Sequence, residues 1–287
     1  MRRLFLLLVL GVSSVAAQAP TPTDIFLAPI TMQAGRPVIG AAVNITSRAG
    51  YDNQPSFTPD GRAILFTSVR EDAQADIYRY DVAAKTVTRV TNTPESEYSA
   101  TVMPSGRRFS VIRVERDSTQ RLWSFALDGT DPRLVLEAIK PVGYHAWLDD
   151  NHLALFVLGS PNALVYATMN PPKYDTLTRR IGRSLSKLPT GPGFSFTQLV
   201  DSAQRVRSMT GPGATPRDLV SLPRGSQDLA WLPDGTLLVG SGSKMFSWQS
   251  GAIALADAGD LSSSGLRDIT RLAVSPDGKW VAIVAVP

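Results

Sequence analysis

The sequence predicts an all-β fold, a six-bladed β-propeller whose last blade is closed by N-terminal strands. Three observations lead there. A turn signature recurs six times in 287 residues, at the period of a four-stranded blade. Each copy is followed by strands of alternating polarity. The strands missing from the last copy are found ahead of the first.

The turn reads Phe57-Thr58-Pro59-Asp60-Gly61, then Val102-Met103-Pro104-Ser105-Gly106. It returns as Trp147-Leu148-Asp149-Asp150-Asn151, Trp231-Leu232-Pro233-Asp234-Gly235 and Val274-Ser275-Pro276-Asp277-Gly278, with a degenerate copy at Leu188-Pro189-Thr190-Gly191. The last residues of these turns lie 45, 45, 40, 44 and 43 apart. Pro presets φ, Asp hydrogen-bonds its own backbone, and Gly takes the left-handed corner. Asn151 replaces Gly with the residue that tolerates that corner best among the others.

The strand after each turn alternates. Ile64 and Phe66 stand three and five residues past Gly61, as do Phe109 and Val111 past Gly106 and Phe194 and Phe196 past Gly191. Third strands follow around Ile77, Leu122, Leu164, Val206 and Met245, carrying the aromatics Tyr78, Trp123, Phe246 and Trp248. Regular spacing assigns these aromatics to packing between blades rather than to sugar stacking. Weaker outer strands are expected at 87–91, 133–136, 177–181, 219–222 and 253–256. The sixth unit offers only two strands, at 269–274 and 279–286. Asp24-Ile25-Phe26-Leu27 matches Asp76-Ile77-Tyr78-Arg79, and Thr46 precedes Gln54 by the 8 residues that separate Thr91 from Ser99. The N-terminal segment therefore supplies the outer half of the last blade, leaving no open edge.

Residues 1–19 form a separate unit. Arg2 and Arg3 precede an apolar run at 4–12, and Ala17-Gln18-Ala19 presents the small residues a signal peptidase reads. The expectation is a signal peptide cleaved after Ala19, a propeller over 20–287, and a periplasmic or secreted monomer with no transmembrane segment in the mature chain. Loss of the leader's two arginines lowers the net charge from +4 to +2, so the basic pI says little about partners. No run of Lys or Arg interleaved with aromatics marks a nucleic-acid surface. The densest basic stretch, Arg179, Arg180, Arg183 and Lys187, reads as a solvated loop. The chain has no cysteine, which excludes disulfides and thiolate metal sites.

An apolar-x-Pro-Asp-Gly turn with Asp-Ile-Tyr some 15 residues later resembles the TolB-like propeller repeat, also called PD40 or WD40-like. The resemblance spans the whole mature chain, and the copies at Phe57 and Val274 follow the pattern most closely. It implies a cell-envelope protein that binds protein partners at a mouth or face of the disc.

Chemistry is harder to find. The two histidines, His145 and His152, flank one hairpin, and Asp149 and Asp150 beside them are turn residues. No Gly-x-Ser-x-Gly elbow or phosphate-binding loop occurs. No catalytic residue, metal ligand or cofactor is assigned. The residues expected to start the inner strands and rim one mouth of the channel are Gln54, Ser99, Tyr144, Lys187, Asp228 and Arg271. Polar and of both signs, they suit hydrogen bonding to a peptide better than caging of a cation. The resulting expectation is a non-catalytic interaction module for an envelope or secreted protein. The alternatives are a metal-dependent hydrolase or lyase working in the channel, or a glycan-binding propeller.

Overall fold

The computed structural model describes residues 21–70 and 74–286. The expected signal peptide and its cleavage site lie outside the described residues.

Six antiparallel sheets are arranged in chain order around a channel. Blade 1 consists of Tyr51–Phe57, Ala63–Val69, Ala75–Asp81 and Thr86–Arg89. Blade 2 begins at Ser96–Val102, blade 3 at Val142–Trp147, blade 4 at Ile181–Lys187 and blade 5 at Leu229–Trp231. These first strands stand beside one another along the channel. Blade 6 joins both ends of the chain. Arg267–Val274 pairs with Trp280–Val286, which pairs with Asp24–Gln33 in the register Ile25↔Val284 and Leu27↔Ala282. Val43–Asn44 completes the outer edge, and the Ile45 N–H donates to the Ile25 carbonyl at 2.9 Å. The long first strand also turns back as a hairpin with Arg36–Ile39.

Period-two alternation buries both faces of the middle strands. Among the described residues the core divides into six apolar clusters, one in each cleft between neighbouring blades. Ile64 and Phe66 pack with Ile25 and Val284 of blade 6, while Leu65 between them packs with Phe109 and Val111 of blade 2. Tyr78, Trp123, Phe246 and Trp248 belong to these clefts and form no outward stacking surface. Gly240 is required where blade 6 closes on blade 5, because a Cβ there would meet Ile269 Cγ2 at 2.3 Å.

The outer strands of blades 2, 3 and 5 differ from the expected ranges. That of blade 3 is Lys173–Arg179, and Ile181 opens blade 4. That of blade 5 is Ala256–Asp260, with Ile253 fully exposed in the preceding loop. Blade 2 has only Arg133–Leu134. Outer strands face water on one side, so their apolar patterning marks them poorly. Among the described residues no helix is long and apolar enough to cross a membrane.

Candidate functional site: the waist of the channel

The innermost strands of blades 1, 2, 3, 4 and 6 each break register once. A bulge inserts an extra residue and re-aims a side chain. Gln54 and Ser99 sit in two of these breaks with left-handed φ of 58° and 55°. Of the polar residues expected at a rim, Gln54, Ser99, Tyr144 and Arg271 are found within their strands and Asp228 just ahead of Leu229–Trp231, forming a waist inside the channel. They line a cavity of about 180 Å³ that continues past Ser56, Thr101 and Leu185, toward the ends of the strands that lead into the Pro-Asp-Gly turns.

The structure brings Gln54, Ser99, Tyr144, Asp228 and Arg271 together in that cavity. Lys187 is a correction. It ends its strand, exposed, opposite Phe194, and blade 4 contributes Arg183 and Ser184 instead. Arg183 is thus a cavity residue and not part of a solvated basic loop. A signal for this position was present. Gln54, Ser99, Tyr144, Asp228 and Arg271 each lie seven residues before the last residue of their turn, and the same step back from Gly191 reaches Ser184, beside Arg183.

Blades 1 and 2 present a neutral wall. The Gln54 Oε1 accepts the Ser99 backbone N–H at 2.7 Å and the Thr67 hydroxyl at 3.0 Å. The Thr67 hydroxyl also accepts the Ser99 N–H at 3.2 Å, so two side chains satisfy an N–H that the bulge removes from the ladder.

Blades 3 to 6 present a charged one. The Arg183 Nε donates to Asp228 Oδ2 at 2.8 Å, its Nη2 donates to the same oxygen, and Nη2 also reaches the Thr270 carbonyl at 3.0 Å. Arg271 Nη1 lies 3.7 Å from Asp228 Oδ1. The Arg271 Nη2 donates to the Tyr144 hydroxyl at 2.9 Å, and its guanidinium lies 5.0 Å from the centre of that ring. Blades 3 and 6 stand on opposite sides of a six-membered ring, so this bond spans the channel and bars it. Burial works against the Arg271 charge, but the Asp228 carboxylate and Tyr144 hold its pKa above the ordinary value. Tyr51 stands near both guanidiniums, yet burial pushes its hydroxyl up to about 12, and it remains a neutral donor.

His145 lines the same cavity. Its Nε2 lies 2.7 Å from Ser110 Oγ, which also accepts the Trp147 indole N–H at 2.9 Å and donates to the Thr101 carbonyl at 3.3 Å. That network assigns the proton to Nε2 and leaves Nδ1 buried without a partner. Burial pushes His145 down to about 4, so it is neutral at ordinary pH. The Trp–Ser part of this arrangement recurs without a histidine in blades 4 and 5, where Trp231 donates to Ser195 at 2.9 Å. It is a blade-to-blade tie. The His152 Nδ1–H donates to the Asp149 carboxylate at 2.9 Å on the exposed hairpin, remote from the cavity lining. Among the described residues no three His, Cys, Asp or Glu side chains gather as a metal would require.

Fold and site together define a closed six-bladed propeller with a barred, charged channel. Its fold is that of the TolB-like propellers. It is similar to an Agrobacterium tumefaciens protein provisionally assigned as TolB, with a TM-score of 0.74 at 13% identity over 92% of this chain and 99% of that one. It is also similar to a chain of a nidogen–laminin complex (TM-score 0.67, 10% identity, 92% and 98% covered). A gluconolactonase from Xanthomonas campestris shares the fold as well (TM-score 0.65, 10% identity, 93% and 99% covered). No protein-family model matches the chain.

Proposed function

We propose that this protein is an exported, non-catalytic interaction module that takes a segment of a protein partner into the channel cavity. The observation that carries this reading is the state of the waist's ionisable groups. Asp228, the only carboxylate lining the cavity among the described residues, already accepts two bonds from Arg183, and His145 is neutral with its proton held by Ser110. Neither stands ready to move a proton, whereas the arginine, tyrosine and amide groups are fixed donors and acceptors, as recognition requires. A cavity of about 180 Å³ is below the roughly 300–1,000 Å³ of drug-sized ligand pockets and fits a side chain. The nidogen–laminin likeness supports the reading, since that propeller-like chain was solved in a protein complex. Export rests on the leader, and the TolB-like fold supports an envelope location.

The gluconolactonase likeness favours a second reading, an enzyme of the channel. In-cell photocrosslinking separates the two. A crosslinker placed at Ser56, in the cavity wall, should capture a partner protein, while one at exposed Ile253 should not. Turnover of a lactone by the purified protein, with no crosslink from Ser56, would overturn the interaction reading.

A further inference from the structure

We infer that the ligand group taken at the waist is a carboxylate, carried by an acidic segment of the partner. This rests on the interaction reading above and names the chemistry of its site.

The charges lining the cavity are Arg183, Arg271 and Asp228, with His145 neutral. Two cations share one anion, so the cavity carries an unmatched positive charge. The excess is localised. Arg183 is engaged with Asp228 and the Thr270 carbonyl, whereas Arg271 meets Asp228 only at 3.7 Å, beyond hydrogen-bond reach. Of the five N–H donors of Arg271, the one toward Tyr144 is the one at hydrogen-bond distance among the described residues. The guanidinium is held in place on two sides, by an aromatic ring and by a carboxylate, with donors left over. A planar cation fixed in this way matches a carboxylate, which accepts two parallel N–H bonds. It is also only 14% exposed, so salt screens it less than a surface arginine. Asp228 then acts as a built-in competitor. It holds both arginines while the cavity is empty and sets how strongly an incoming carboxylate must bind.

The test measures binding by calorimetry at low and at physiological salt. The probes are a hexapeptide with two central glutamates, its glutamine counterpart, and gluconate as a small hydroxy acid. The wild type should bind the glutamate peptide at least tenfold more tightly than the glutamine one. Arg271→Gln should weaken glutamate-peptide binding tenfold or more. Asp228→Asn, by removing the competitor, should tighten it severalfold. Arg133→Gln, on an exposed outer strand, should leave it unchanged. Thermal melts of each variant identify any that fail to fold, and the opposite signs expected for Arg271→Gln and Asp228→Asn cannot both arise from unfolding. Equal binding of the two peptides, or weaker binding by Asp228→Asn in a folded protein, would overturn the inference. Binding of gluconate without the peptide would replace the acidic segment with a small acid and overturn it too. A partner crosslinked from Ser56 that binds independently of Arg271 would sink the carboxylate assignment while leaving the interaction reading intact.

Discussion

Blades 1 and 2 line the channel with Gln54 and Ser99; blades 3 to 6 line it with Tyr144, Arg183, Asp228 and Arg271. In the first group the bonds run between adjacent blades and satisfy backbone, as when Gln54 accepts the Ser99 N–H. In the second they run between side chains, apart from the Arg183 bond to the Thr270 carbonyl, and one crosses the ring from Arg271 to Tyr144. The neutral group also keeps its charges behind the wall. Glu97 of blade 2 is fully buried, 3.3 Å from Arg113 and bonded by the Thr93 hydroxyl, beside an Asp76–Thr91 pair that repeats as Asp24–Thr46 one blade earlier. Blades 1 and 2 thus stitch the ring, and the charged groups come from blade 4, whose turn is degenerate, and from blades 5 and 6, whose Pro-Asp-Gly turns are intact. The structural wall depends on local satisfaction of polar groups, while the bar from Arg271 to Tyr144 depends on ring closure, because blades 3 and 6 face each other only when the ends of the chain meet.

That dependence can be broken first. Deleting residues 24–47 removes the outer strands of blade 6 and exposes the edge of Trp280–Val286. Each unpaired buried ladder group costs about 1–3 kcal/mol, against a total margin of about 5–15 kcal/mol. The expected outcome is an aggregate or no soluble protein. A monomer with native circular dichroism would show that closure is not what holds the charged wall.

The two buried titrating groups near the walls should oppose each other. Burial pushes the Glu97 carboxyl from 4.5 up to about 7, against the pull of Thr93, Thr91 and Arg113. A raised folded-state pKa means that its stabilising contribution is complete below about 4.5 and is lost as pH rises through 7. His145 is depressed from 6.5 to about 4, so its contribution is complete above about 6.5 and is lost as pH falls through 4. Each amounts to about 3 kcal/mol at most. Urea unfolding between about pH 4 and 8 should find Glu97→Gln losing stability toward acid and His145→Gln losing it toward neutrality. Parallel profiles for the two variants would contradict both assignments.

A smaller effect separates support from recognition. Gln54→Ala removes the nearer acceptor of the Ser99 N–H, leaving it the Thr67 hydroxyl at 3.2 Å, and should cost about 1 kcal/mol in denaturant unfolding. Glutamate-peptide affinity should stay within about twofold of wild type, in contrast to Arg271→Gln. A stable Gln54→Ala protein that has lost the ligand would erase the distinction between the walls.

Blade number, strand order and the closing role of Asp24-Ile25-Phe26 were readable from the chain, because turn chemistry and period-two burial act over a few residues and repeat. Five of the six residues expected at the channel were readable for the same reason, as they keep a constant distance from their turns. The degenerate fourth turn hid Arg183, and its position within a basic run suggested solvent. What local pattern does not contain is the direction of a side chain at a bulge, or a partner 127 positions away, as Tyr144 is from Arg271. A bulge shifts the alternation on which a strand pattern depends, and a contact across the ring exists only after six separate sheets have closed around one axis. The identity of the blades therefore came from local rules, and the charged bar across the channel from their assembly.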